Sequence, residues 1–90
     1  MIREPHYSIE VELILNGLEQ GSDTRLLNAV CDAIDLICDH GDSASARKIM
    51  LITIAGTHIW KTPVKDGRYE WCILWEPRED MAMIHFIGEL

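Results

Sequence analysis

IEVELILNGLE, residues 9–19, fits two templates that lead to different folds. Tyr7, Ile9, Val11, Leu13 and Leu15 alternate as in a strand. Val11, Ile14, Leu15 and Leu18 instead fall at the i, i+3, i+4, i+7 spacing of one helix face. The neighbours decide between them. Ser8 stands where an N-cap hydroxyl is needed, and Glu10 falls in the first turn, where the helix dipole favours an acid. The segment therefore reads as a short helix ending near Gly21.

Beyond it, Ser22 or Asp23 caps a second helix running to about His40. Leu26, Leu27, Val30, Cys31, Ile34, Ile37 and Cys38 form its apolar stripe, with Arg25, Asn28, Asp32, Asp35 and Asp39 on the other side. Gly41 is expected to end it in a left-handed C′ conformation. DSASARK adds a helical turn or a loop.

From Lys48 the pattern turns to β. KIMLITI is a short, β-branched apolar run bounded by Ala55-Gly56, and THIWKTPV follows. Asp66-Gly67 is a strong hairpin signal that favours a two-residue type I′ turn. In RYEWCILWE, Tyr69, Trp71, Ile73 and Trp75 alternate against Arg68, Glu70, Cys72 and Leu74. EPRED makes a further turn into MAMIHFI, which is apolar on both faces and so central or covered. Pro63 needs a place without a ladder hydrogen bond. The sum is one α+β domain over residues 1–90, an N-terminal helix pair packed on a three- to four-stranded antiparallel sheet.

Ninety residues support one small core. No apolar run approaches a membrane span and MIREPH has no signal-peptide core, so a cytoplasmic protein without membrane contact is expected. Three cysteines, none in a CxxC pair, point to reduced thiols. Residues 1–45 hold nine acids against two bases, and residues 46–90 balance six against six, so the whole net charge of −7 lies in the first half. That acidity disfavours non-specific nucleic-acid binding. Yet Arg47, Lys48, Lys61, Lys65 and Arg68 are interrupted by one acid, Asp66, leaving a local basic edge or a solvated charged rim.

Four stretches carry a family likeness: EVELILNGL (Glu10–Leu18), LITIAGTHIWKTPV (Leu51–Val64), GRYEWCILWE (Gly67–Glu76) and MIHFIG (Met83–Gly88). In order and pattern they resemble the RelE/ParE superfamily of bacterial type II toxins, including its HigB-like branch. The likeness spans nearly all the chain from Glu10. The leading strand usual in that family looks missing or vestigial here, which would leave the sheet an open edge.

The resemblance implies a toxin neutralised by an antitoxin. RelE-type members are endoribonucleases that cleave mRNA on the ribosome, and ParE-type members act on DNA gyrase. RNA cleavage needs a base for the ribose 2′-hydroxyl, an acid for the leaving 5′-oxygen and cations for the phosphorane charge. On that pattern Lys61 matches a family basic residue on the second strand, and Arg68, just after the Asp66-Gly67 turn, is a further candidate. Pro63 stands where another base often occurs. Glu70 stands where an arginine is typical, and Glu89-Leu90 follow Gly88 where basic residues commonly end the strand. Some members use a glutamate base and a C-terminal histidine, roles for which Glu70 and His85 are the candidates. Arg47, Lys48 and Lys65 are the remaining candidates for contacting nucleic acid. Replacing the arginine by Glu70 should cost several kcal/mol of transition-state stabilisation.

Each assignment has a plainer competitor. Lys61, Lys65 and Arg68 also read as ordinary exposed bases, and His85 as a half-buried structural histidine. Trp60, Trp71 and Trp75 read as a base-stacking platform or, at period-2 spacing, as core. Cys31 and Cys38 read as inert core thiols. Cys38, His40, Cys72 and His58 match no standard zinc spacing, so neither metal nor cofactor is expected. Three functions compete: a toxin directed at mRNA or gyrase, a catalytically inactive interaction or dimerisation module of the same fold, and a small-ligand or metal binder with only scattered histidines and cysteines behind it.

Overall fold

In the computed structural model, which describes residues 2–47 and 49–89, the chain runs β1 (Glu4–Tyr7), α1 (Ile9–Gln20), α2 (Thr24–His40), β2 (Ile49–Ile52), β3 (His58–Pro63), β4 (Trp71–Arg78) and β5 (Met81–Glu89). The five strands make one sheet in the order β1-β5-β4-β3-β2. β1 lies parallel to β5 and the other pairs are antiparallel. The expected α+β domain is present, but its sheet is mixed and five-stranded rather than antiparallel with three or four strands. No described helix is long and apolar enough to cross a membrane.

The helical reading of residues 9–19 holds. Ser8 Oγ accepts from the Val11 amide at 3.2 Å. Val11 is fully buried, with Ile14, Leu15 and Leu18 packed beside it. Ile9 and Leu13, inward on the strand reading, are instead 75% and 67% exposed. Asp23 caps α2 through the Leu26 amide at 3.1 Å, and Leu26, Val30, Ala33, Ile34, Ile37 and Cys38 face the sheet. Cys31, expected in that stripe, is exposed.

A strand does precede α1, where none or only a vestige was expected. Glu4–Tyr7 pairs with Met81–Ile84, which puts β5 inside the sheet. β1 is short and polar, and Pro5 suits it to an edge. The Arg3 amide ties it to the Cys38 carbonyl at the end of α2 at 2.8 Å.

Two turn expectations are corrected. Gly41 is not left-handed, with φ −62° and ψ −19°. It is needed because a side chain there would meet the Ile37 carbonyl oxygen at 2.5 Å and the Trp75 ring at 3.3 Å. Asp66-Gly67 does not form a type I′ turn. β3 ends at Pro63 and β4 begins at Trp71, so residues 64–70 form a longer loop. Gly67 has φ +89°, but Asp66 lacks the positive φ that such a turn requires. Its carboxylate turns inward instead. The tight hairpin is the other turn, at Glu79-Asp80, with Glu79 at φ 52° between the paired Arg78 and Met81. Pro63 ends its strand. The Val64 amide bonds to the Trp71 carbonyl at 2.9 Å, so by alternation the Pro63 nitrogen points away from β4.

The core lies between the helices and one sheet face, around the fully buried Val11, Val30, Ile37, Ile73, Trp75, Ile84 and Ile87. One polar relay crosses it. The Trp75 indole donates to Thr62 Oγ1 at 2.9 Å, and the Thr62 hydroxyl donates to the Ala46 carbonyl.

Candidate functional site

The sheet face opposite the helices carries most of the chemistry. Ile73, Trp75, Ile84 and Ile87 point into the core. Alternation therefore turns Cys72, Leu74 and Glu76 of β4, Lys61 of β3 and Met83 and Phe86 of β5 to the uncovered side. A bulge places Leu74 opposite Phe86 but Trp75 opposite Ile84, leaving His85 as the extra residue. Such a bulge re-aims a side chain, and His85 reaches across to Glu76.

His85 Nε2 lies 3.1 Å from Glu76 Oε1, and Arg78 Nε donates to Glu76 Oε2 at 3.2 Å. Burial alone would push the Glu76 carboxyl up. The hydrogen bonds from His85 and Arg78 outweigh it and hold the group below the usual glutamate range. Glu76 is therefore an ionised acceptor with both oxygens engaged, and it orients the imidazole with Nδ1 on the far side.

Lys61 lies on the same face but not beside that pair. It is opposite Leu74, which is opposite Phe86, so it stands two strands from β5, about 10 Å away. Its own neighbourhood is a hollow of about 320 Å³ lined by Lys61, Pro63, Val64, Glu70, Trp71 and Cys72. Glu70 thus lines the same hollow as Lys61, while His85 does not. Cys72 is buried, and that burial raises its thiol despite the partly offsetting charge of Lys61, so it stays protonated.

The remaining bases do not form one surface. Arg68 donates to both oxygens of Asp66, at 2.8 and 2.9 Å, and to Asp23 Oδ1 at 2.8 Å. Those bonds hold both carboxyls below their usual range and the guanidinium firmly charged. Arg25 adds a bond from α2 to the Asp66 carbonyl at 2.9 Å. The cluster fastens the 64–70 loop to the start of α2, a structural role for Arg68. Arg47 is likewise engaged: it donates to the Gly41 carbonyl at 2.7 Å and to Asp42 at 2.8 Å, and stacks over Trp60 with 5.2 Å to the centroid. Lys65 is exposed beside Pro63 and the Ala29–Leu36 side of α2, away from Lys61. Lys48 lies outside the described residues.

The other readings resolve similarly. Trp75 is core, and Trp60 and Trp71 pack against it, which is the plainer of their two readings. Cys38 is buried under the helices and Cys72 on the opposite sheet face. Among the described residues no group of three His, Cys, Asp or Glu side chains is placed to hold a metal.

One feature was not anticipated. β2 is an edge strand, and all four of its side chains are exposed: Ile49 48%, Met50 44%, Leu51 38% and Ile52 62%, with Ile54 beyond it fully exposed. KIMLITI was legible as a strand, but its place at the margin depends on strand order, which no local pattern encodes. Compared with known protein families, characterised proteins and solved structures, the chain matches none. Its fold and faces define it as a two-layer α+β domain with one uncovered sheet face and one bare apolar edge.

Proposed function

We propose that this chain is a protein-interaction module on a RelE/ParE-like plan, without the residue set that RelE-type RNA cleavage requires. The observation that carries the reading is β2, an apolar edge strand with every side chain exposed. Such an edge is a template for pairing with another chain. The disposition of the bases supports the same reading. Arg68 and Arg47 are bound by carboxylates and carbonyls of their own chain, and Lys61 shares its hollow with the acid Glu70 and stands two strands from His85.

A second reading, a toxin acting on mRNA at the ribosome or on gyrase and neutralised by an antitoxin, rests on a different observation: Lys61 and His85 share the uncovered face. Tightly induced expression in a bacterial host separates the two. The interaction reading expects normal growth with wild-type protein and with the Lys61→Ala, His85→Ala double variant. Growth arrest by the wild type that the double variant relieves would overturn it in favour of the toxin.

A further inference from the structure

The two margins of this sheet are built differently. β1 presents Glu4, Pro5 and His6, a charge and a residue without an amide proton, which blunt an edge. β2 presents Ile49, Met50, Leu51 and Ile52, and no charged residue occurs from there through Thr57. The Thr53 amide bonds to the Thr57 carbonyl at 2.9 Å, so alternation directs Leu51 and Ile49 toward β3 as well. The N–H and C=O groups of Met50 and Ile52 then point outward, where no described strand meets them.

Building on the interaction reading, we propose that the occupant of this edge is a second copy of the chain, paired antiparallel through β2 about a two-fold axis. Met50 of one copy faces Ile52 of the other, and Leu51 meets Leu51 at the axis. That register forms four backbone hydrogen bonds from the outward groups. From Met50 to Ile52 it sets apolar side chains against apolar ones on both sheet faces. Pairing is self-complementary, as a two-fold interface requires.

Electrostatics favour this edge for two acidic copies. The entire excess of acid lies in residues 1–45, on β1, the two helices and the segment after them, and the helices pack over β1, β3 and β5. The β2 margin is the one at which like-charged copies approach with least repulsion. Four residues, each between 38% and 62% exposed, make a short contact at the low end of specific interfaces, so dissociation no tighter than the micromolar range is expected. The result is a continuous ten-stranded sheet whose uncovered faces adjoin.

Sedimentation equilibrium of the full chain across a concentration series tests this, read beside amide hydrogen exchange. The wild type should reach twice the mass of one chain, with the Met50 and Ile52 amides protected. Ile52→Pro removes one outward N–H without touching the β2–β3 ladder, and it should weaken association roughly a hundredfold while leaving the circular dichroism unchanged. Leu51→Lys is the second variant, should the proline disturb folding, and it too should give a monomer. A wild type that remains monomeric at about 100 µM, with both amides exchanging freely, overturns self-pairing and leaves the edge to a foreign strand. A dimer that survives both substitutions overturns the location. A monomer without growth arrest refutes only the self-pairing. A β2-dependent dimer whose expression arrests growth through Lys61 and His85 refutes only the interaction-module reading.

Discussion

Thr62 shows how a single hydroxyl can hold two elements to the core. It is fully buried on β3, accepting from the Trp75 indole and donating to the Ala46 carbonyl beyond α2. Thr62→Val keeps the volume but strands a buried donor and a buried acceptor. The expected cost is about 2–4 kcal/mol. In a domain of this size that lowers Tm by roughly 10–20 °C, which a calorimetric scan would detect. A loss of only a degree or two would mean that the relay is replaced by solvent. At Gly41 the sequence signal was correct in identity and misleading in cause. A glycine after a helix usually reports a left-handed cap, but here it reports the close approach of the Trp75 ring and the Ile37 carbonyl. The tighter contact, with the Ile37 carbonyl, is local to α2, but the Trp75 contact comes from β4, thirty-odd residues downstream, and no local pattern contains it.

At the scale of elements, legibility followed the strength of periodicity. α2 was readable because a long apolar stripe and an acidic cap coincide, and β4 because aromatics alternate. α1 was decided by Ser8, whose capping bond outweighs an alternation that would have buried the exposed Ile9 and Leu13. β1 escaped notice because EPHY has neither alternation nor propensity. It is a strand because the margin of β5 offers it partners. The Asp66-Gly67 signal failed for an electrostatic reason, since Asp66 is drawn inward by Arg68 and the loop is fastened to Asp23 and Arg25. That clamp has a consequence for acid stability. Arg68 holds Asp23 and Asp66 below their usual values, and His85 and Arg78 do the same for Glu76 despite its burial. Groups depressed in the folded state contribute stability that is complete above their unfolded values, near pH 4, and lost as pH falls through the folded values. Denaturant titrations from pH 7 downward should therefore show stability declining below about pH 4–5. Arg68→Gln should flatten that decline and lower the neutral-pH plateau. An unchanged acid limb would show that the clamp does not contribute.

At the scale of the whole molecule, the candidate site was legible only in part. Lys61 and His85 were picked out by residue type and do share the uncovered face. Their separation across two strands, and the capture of Arg68 and Arg47 by their own neighbours, depend on tertiary placement. The bare β2 edge was hidden for the same reason. An apolar run reads as interior until strand order is known.

The unequal margins also fix how far assembly can proceed. A sheet sticky at both ends adds copies without limit and grows into a filament. A sheet with one sticky end and one capped by Glu4 and Pro5 stops once the sticky ends meet. Finite size is thus written into two residues at the opposite margin of the sheet from the contact itself. Removing that stop, with Glu4→Thr and Pro5→Val together, should turn a closed assembly into an open-ended one. Light scattering would then rise steeply with concentration. A variant that stays at the wild-type mass would mean that growth is halted by something other than the chemistry of β1.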